Sequence, residues 1–125
     1  MEHLIHFWAY VLTCDKEIEE ILTVWNDAGP WQWQLRERFI FGFYLNTRPA
    51  DGVRVQLHEF FPDSKSHAMY PGPGTVDGIS YTEGFTAQLE LHKDSPLSKE
   101  EIDGVFKQLL AAIGAENVRT IEPYA

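Results

Sequence analysis

The sequence predicts an α+β fold, an antiparallel sheet of about five strands with two helices packed on one face, and three observations predict it. Odd positions from Trp31 through Trp33, Leu35, Glu37, Phe39, Phe41, Phe43 and Leu45 form one parity, Gln32, Gln34, Arg36 and Arg38 occupy the other, and the alternation resumes at Val53, Val55 and Leu57. Phe85, Ala87, Leu89 and Leu91 repeat that period. Two other stretches, Ile18 to Trp25 and Ile102 to Ile113, carry apolar residues three and four apart instead. Period two is the signature of a half-buried strand and period 3.6 that of a helix with one buried face.

Taken in order, Leu4 to Leu12 is apolar at both parities, which predicts a strand covered on both faces and interior to the sheet. Thr13 or Asp15 is the expected cap of the first helix, Glu17, Glu19 and Glu20 suit its positive end, and Gly29-Pro30 ends it. The aromatic stretch from Trp31 is too long for one straight strand in a chain of 125 residues, so a bend near Glu37 or Gly42 is expected. A hairpin follows, with a five-residue loop from Arg48 to Gly52 that brings Leu45 opposite Val55 on a shared face and keeps Pro49 out of the ladder. Pro62 to Thr82 is rich in proline and glycine, has no period and reads as a long loop. After the strand at Phe85 to Leu91, Ser98 and Glu101 form a capping box at the start of the second helix, which stops at Gly114 before a short edge strand at Val118 to Ile121.

That order, β-α-β-β-β-α-β, is the order of ferredoxin-like split βαβ folds, and residues 1–125 form one domain with no internal repeat. Forty-four per cent apolar residues suffice for a core without a disulfide or metal. Ten basic against 19 acidic residues leave a charge of -9, which disfavours nucleic acid and anionic membrane and favours a basic partner. A single cysteine, Cys14, fits a reducing compartment, and no stretch is long and apolar enough to span a membrane, so a cytoplasmic protein is expected.

No catalytic motif decides whether the chain is an enzyme. Five histidines lack metal-ligand spacing, and Pro71-Gly72-Pro73-Gly74 lacks the backbone donors of a phosphate loop, so no metal or cofactor is expected. The candidate binding residues lie on the polar parity of the sheet and in the long loop: Arg36, Arg38, His58, Glu90 and His92 on strands, Tyr70 and Tyr81 flanking the loop. His58, Glu90 and His92 converge if their strands are neighbours. Glu59 and Glu37 stand at apolar parity, where a carboxyl is either desolvated or turned out by a bulge; the Arg36 and Arg38 neighbours favour the bulge for Glu37. Two functions are compatible with this reading. One is a small acidic protein that binds a protein partner as an inhibitor, immunity protein or adaptor. The alternative is a small-molecule-binding protein or enzyme, dimeric, with a pocket between the polar sheet face and the 62–82 loop.

Overall fold

The computed structural model describes residues 4–38, 42–59, 75–76, 79–80 and 84–121. Strand β1 (Leu4–Thr13) leads into helix α1 (Ile18–Ala28), then β2 (Gln34–Arg38), β3 (Gly42–Thr47) and β4 (Val53–Glu59). The short β5 (Thr75–Val76) and β6 (Ile79–Ser80) pair with each other, and β7 (Phe85–His92), α2 (Lys99–Ala112) and β8 (Glu116–Ile121) complete the chain. Six strands form one antiparallel sheet in the order β2-β3-β4-β7-β1-β8.

β1 lies between β7 and β8, the interior place its apolar residues require: Trp8, Tyr10 and Leu12 are buried on one face, Ala9 and Val11 on the other. The sheet has six strands rather than about five because the aromatic stretch is two strands, not one bent strand. Leu35 pairs with Leu45 and Glu37 with Phe43, odd with odd, so the alternation runs unbroken across the reversal between β2 and β3. Glu37 reaches solvent because β2 is the edge strand; the β2–β3 register is regular, without the expected bulge.

The parity of the β3–β4 hairpin is as expected but its register is offset by two: Leu45 pairs with Leu57 and Thr47 with Val55, not Leu45 with Val55. The cause is β7. Val53 pairs with Leu91, and His92 N–H donates to the Gly52 carbonyl at 2.7 Å, so the first turn of β4 belongs to β7 rather than to β3. Gly52, with φ +79°, ends the five-residue connection, and a Cβ there would stand 3.0 Å from the Ser95 nitrogen.

Both helices cover the face bearing Trp8, Tyr10 and Leu12. Trp25 meets Phe106 edge-on at 5.8 Å, Phe106 stacks on Tyr10 at 5.9 Å, and Trp25 Nε1 donates to the Leu109 carbonyl at 2.8 Å. Ile18, Ile21, Ile102, Leu109 and Ile113 fill the space between, with Leu22 and Val105 at its margin. α2 begins as its capping box requires, Ser98 Oγ accepting from Glu101 N–H and Glu101 Oε1 from Ser98 N–H. α1 is capped by Glu17, not by Thr13 or Asp15; Glu20 Oε1 accepts from the Glu17 N–H at 2.9 Å. Asp103 on α2 anchors the helix to β1 by accepting from Tyr10 Oη at 2.5 Å and Trp8 Nε1 at 3.0 Å, while Lys107 Nζ lies 3.2 Å away. Among the described residues no helix is long and apolar enough to cross a membrane.

Candidate functional site on the polar face of the sheet

Even positions of β2, β3, β4 and β7 share the face opposite the helices, and the register arranges them in rows across the strands. One row is Gln34, Asn46, Gln56 and Gln88; the next is Arg36, Tyr44, His58 and Thr86; Arg54 and Glu90 begin a third. The polar parity marks the face as the sequence predicts, but much of it has left water. Gln56, His58, Thr86 and Gln88 are all at least nine-tenths buried.

Buried polar groups must find partners, and several here do so along the rows. Gln56 Nε2 donates to Asn46 Oδ1 at 3.0 Å, and its Oε1 lies 3.0 Å from His58 Nε2. With the amide in that orientation His58 carries its proton on Nε2. Tyr44 stacks on the imidazole, centroids 4.9 Å apart and planes within 10°. The hydroxyl of Thr86 and Nε of Arg54 are buried without a hydrogen-bond partner among the described residues.

Arginines rim the exposed side of this face. Arg36, Arg48 and Arg54, with Tyr44, Asn46 and Gln56, line a depression of about 310 Å³. Arg36 Nη2 donates to Gln34 Oε1 at 2.6 Å, and Arg54 Nη2 pairs with Glu90 Oε2 at 2.7 Å. Arg48 makes no hydrogen bond or ion pair among the described residues, and it also borders an adjoining depression of about 470 Å³ that contains Asp51, Glu90 and His92.

The residues singled out from sequence fall into separate places. His58, Glu90 and His92 share the face but do not converge: His58 pairs with Thr86 and Arg54 with Glu90, a displacement of four residues, or ~13 Å along the strand. His92 Nε2 stands 3.8 Å from Glu90 Oε1, so those two belong to the Arg54 end. Glu59 lies on the helix face, paired with Phe85 in regular register and half-buried. Burial raises its pKa, and the charges of Glu19 and Glu17 on and beside α1 add to the shift. Arg38 is the last residue of β2, opposite Gly42. Tyr70 and Tyr81 lie outside the described residues, as does most of the 62–82 loop. Sequence reasoning missed Tyr44, Asn46 and Arg48, which reach this face only because β3 is a strand of its own; the parity of Tyr44 and Asn46 was the available signal.

No family model matches the chain. A probable secreted lipase, phiG, from a fungal species (strain ATCC 74256) is 32% identical over 63 residues, 50% of this chain. The matched stretch is 17% of that protein, so this chain spans a small part of its length. A Gly-x-Ser-x-Gly nucleophile elbow does not occur in the sequence, and no lipase chemistry is assigned to the rows described above.

Proposed function

We propose that the protein binds a small polar molecule on the sheet face opposite the helices. The observation that carries this reading is the hydrogen-bonded chain from half-buried Asn46 through buried Gln56 to buried His58, which runs beside depressions open to solvent. Polar side chains kept only for solubility stay in water, whereas Gln56 and His58 are desolvated and held in one hydrogen-bonded arrangement. Such prearranged polar groups at the floor of a concavity orient a ligand and distinguish it from its analogues.

The order β8-β1-β7-β4, joined through α1 and α2, supports a ferredoxin-like core to which the β2–β3 hairpin adds two strands. That assignment is part of the proposal, as is a cytoplasmic location, supported by the lone Cys14 thiol. A protein partner attracted by the -9 charge is the second reading. It has less support, because Phe43 is the one exposed large hydrophobic residue among the described residues, and protein interfaces usually have an apolar centre.

The test is a metabolite library screened by NMR on the labelled protein. Saturable shifts confined to the side-chain amides of Asn46, Gln56 and Gln88 are expected. A library that leaves them unmoved, with a stoichiometric protein partner recovered from the native host, overturns the reading in favour of the second.

A further inference from the structure

We infer that the ligand of this face presents an oxyanion, a carboxylate or a phosphate group, to the cluster of Arg36, Arg48 and Arg54. The inference rests on the small-molecule reading and names the chemistry of its ligand.

The chain has nearly twice as many acidic as basic side chains, yet among the described residues three arginines and no carboxylate line the 310 Å³ depression. Like charges gathered round one concavity raise its potential locally, and the excess acid elsewhere is screened beyond about 8 Å at physiological salt. The cluster is under-neutralised. Among the described residues Arg36 is bonded to a neutral amide, Arg48 has no partner, and Arg54 shares its charge with Glu90 through one nitrogen while its Nε lacks a partner.

Register explains why the three meet. Arg48 follows Asn46 by two residues and continues the same side of the chain past β3, while Arg36 and Arg54 belong to the strands on either side. The three arginines therefore line one depression together with Asn46. A planar guanidinium offers paired donors matched to the two oxygens of a carboxylate or two of a phosphate, which an ammonium does not. The neutral floor of Asn46 and Gln56 can hydrogen-bond the ligand without cancelling its charge. Asp51 and Glu90 in the adjoining depression repel a second anion, so the charged group sits at one end of the molecule.

The experiment is an NMR titration at low ionic strength with sodium succinate and inorganic phosphate, using sodium chloride at matched ionic strength and succinamide as the neutral isostere. Either oxyanion should shift the Asn46 and Gln56 side-chain amides and Arg54 Nε–H saturably. Chloride and succinamide should not. Arg48→Gln and Arg36→Gln, both at exposed positions, should each weaken binding at least about tenfold while melting as the parent protein does. Tighter binding of succinate assigns a carboxylic acid ligand, and tighter binding of phosphate a phosphorylated one. Oxyanions that act no more strongly than chloride, or variants that bind as well as the parent, overturn the inference. Saturation by succinamide or by a neutral library compound alone would remove the oxyanion and leave the small-molecule reading standing; silence from every probe and every compound removes both.

Discussion

Tyr10 and Asp103, from the first strand and the last helix, share a hydrogen bond of 2.5 Å on the covered face of the sheet. Burial resists ionisation of Asp103, but the hydrogen bonds from Tyr10, Trp8 and Lys107 outweigh it and hold the carboxyl below its ordinary range. A depressed carboxylate contributes stability above its unfolded pKa of ~3.9 and loses it as pH falls through the folded value. Asp103→Asn should cost about 1–3 kcal/mol at neutral pH, and the difference from the parent protein should shrink on acidification below pH ~4. Urea midpoints at neutral and acid pH measure it; a difference independent of pH would mean that the charge of Asp103 contributes nothing.

Tyr10 titrates in the opposite sense. Burial, then the hydrogen bond and charge of Asp103, push its phenol above the usual value of ~10. Its contribution is present below that unfolded value and is lost as pH rises towards the folded one. The parent protein should therefore lose stability above pH ~10 more steeply than Tyr10→Phe, as thermal melts across that range would record.

Glu59 has its pKa raised by burial first and then by the charges of Glu19 and Glu17. A raised carboxyl destabilises the fold as pH climbs through the unfolded and then the folded pKa. Glu59→Gln should be more stable than the parent at pH 7 and equal to it well below pH 4. An advantage that persists undiminished in acid would place its cause outside this titration.

Phe106, fully buried between Tyr10 and Trp25, is the centre of the contact between the helices and the sheet. Phe106→Ala should lower unfolding free energy by ~3–5 kcal/mol. Denaturant titration gives the value, and a loss below ~1 kcal/mol would remove that side chain from the core.

Gly52 is constrained twice, by a left-handed backbone and by the Ser95 backbone 3.0 Å from where a Cβ would lie. Gly52→Ala should cost about 1–3 kcal/mol and disturb the Arg48 to Arg54 rim. Melting temperature and the Arg54 Nε–H resonance report the two effects separately.

The elements that sequence alone defines well are those whose signals are local. The Ser98–Glu101 capping box starts α2 where expected, and Phe85 to Leu91 alternates along the length of β7. Strand count was hidden because β2 and β3 join with odd opposite odd, so a reversal and a bend leave the same alternation. The β3–β4 register depended on β7 drawing in Gly52 and Val53, a partner more than 35 residues away in sequence. The site was half legible for the same reason: alternation assigned Arg36, Arg54, His58 and Glu90 to one face, but the burial of Gln56 and His58 and the approach of Arg48 depend on tertiary neighbours.

The position of β1 between β7 and β8 has a consequence for synthesis on the ribosome. This strand precedes both of its partners in the chain, which begin only at Phe85 and Glu116. A nascent chain arrested before residue 85 exposes both edges of an apolar strand, the kind of segment that recruits chaperones or aggregates. β2, β3 and β4 can pair in sequence as they emerge, so a local meander precedes closure of the sheet. Only when residues 85–121 have emerged can β7 bridge β4 to β1 and β8 cover the other edge of β1, so closure of the sheet waits for its last strands.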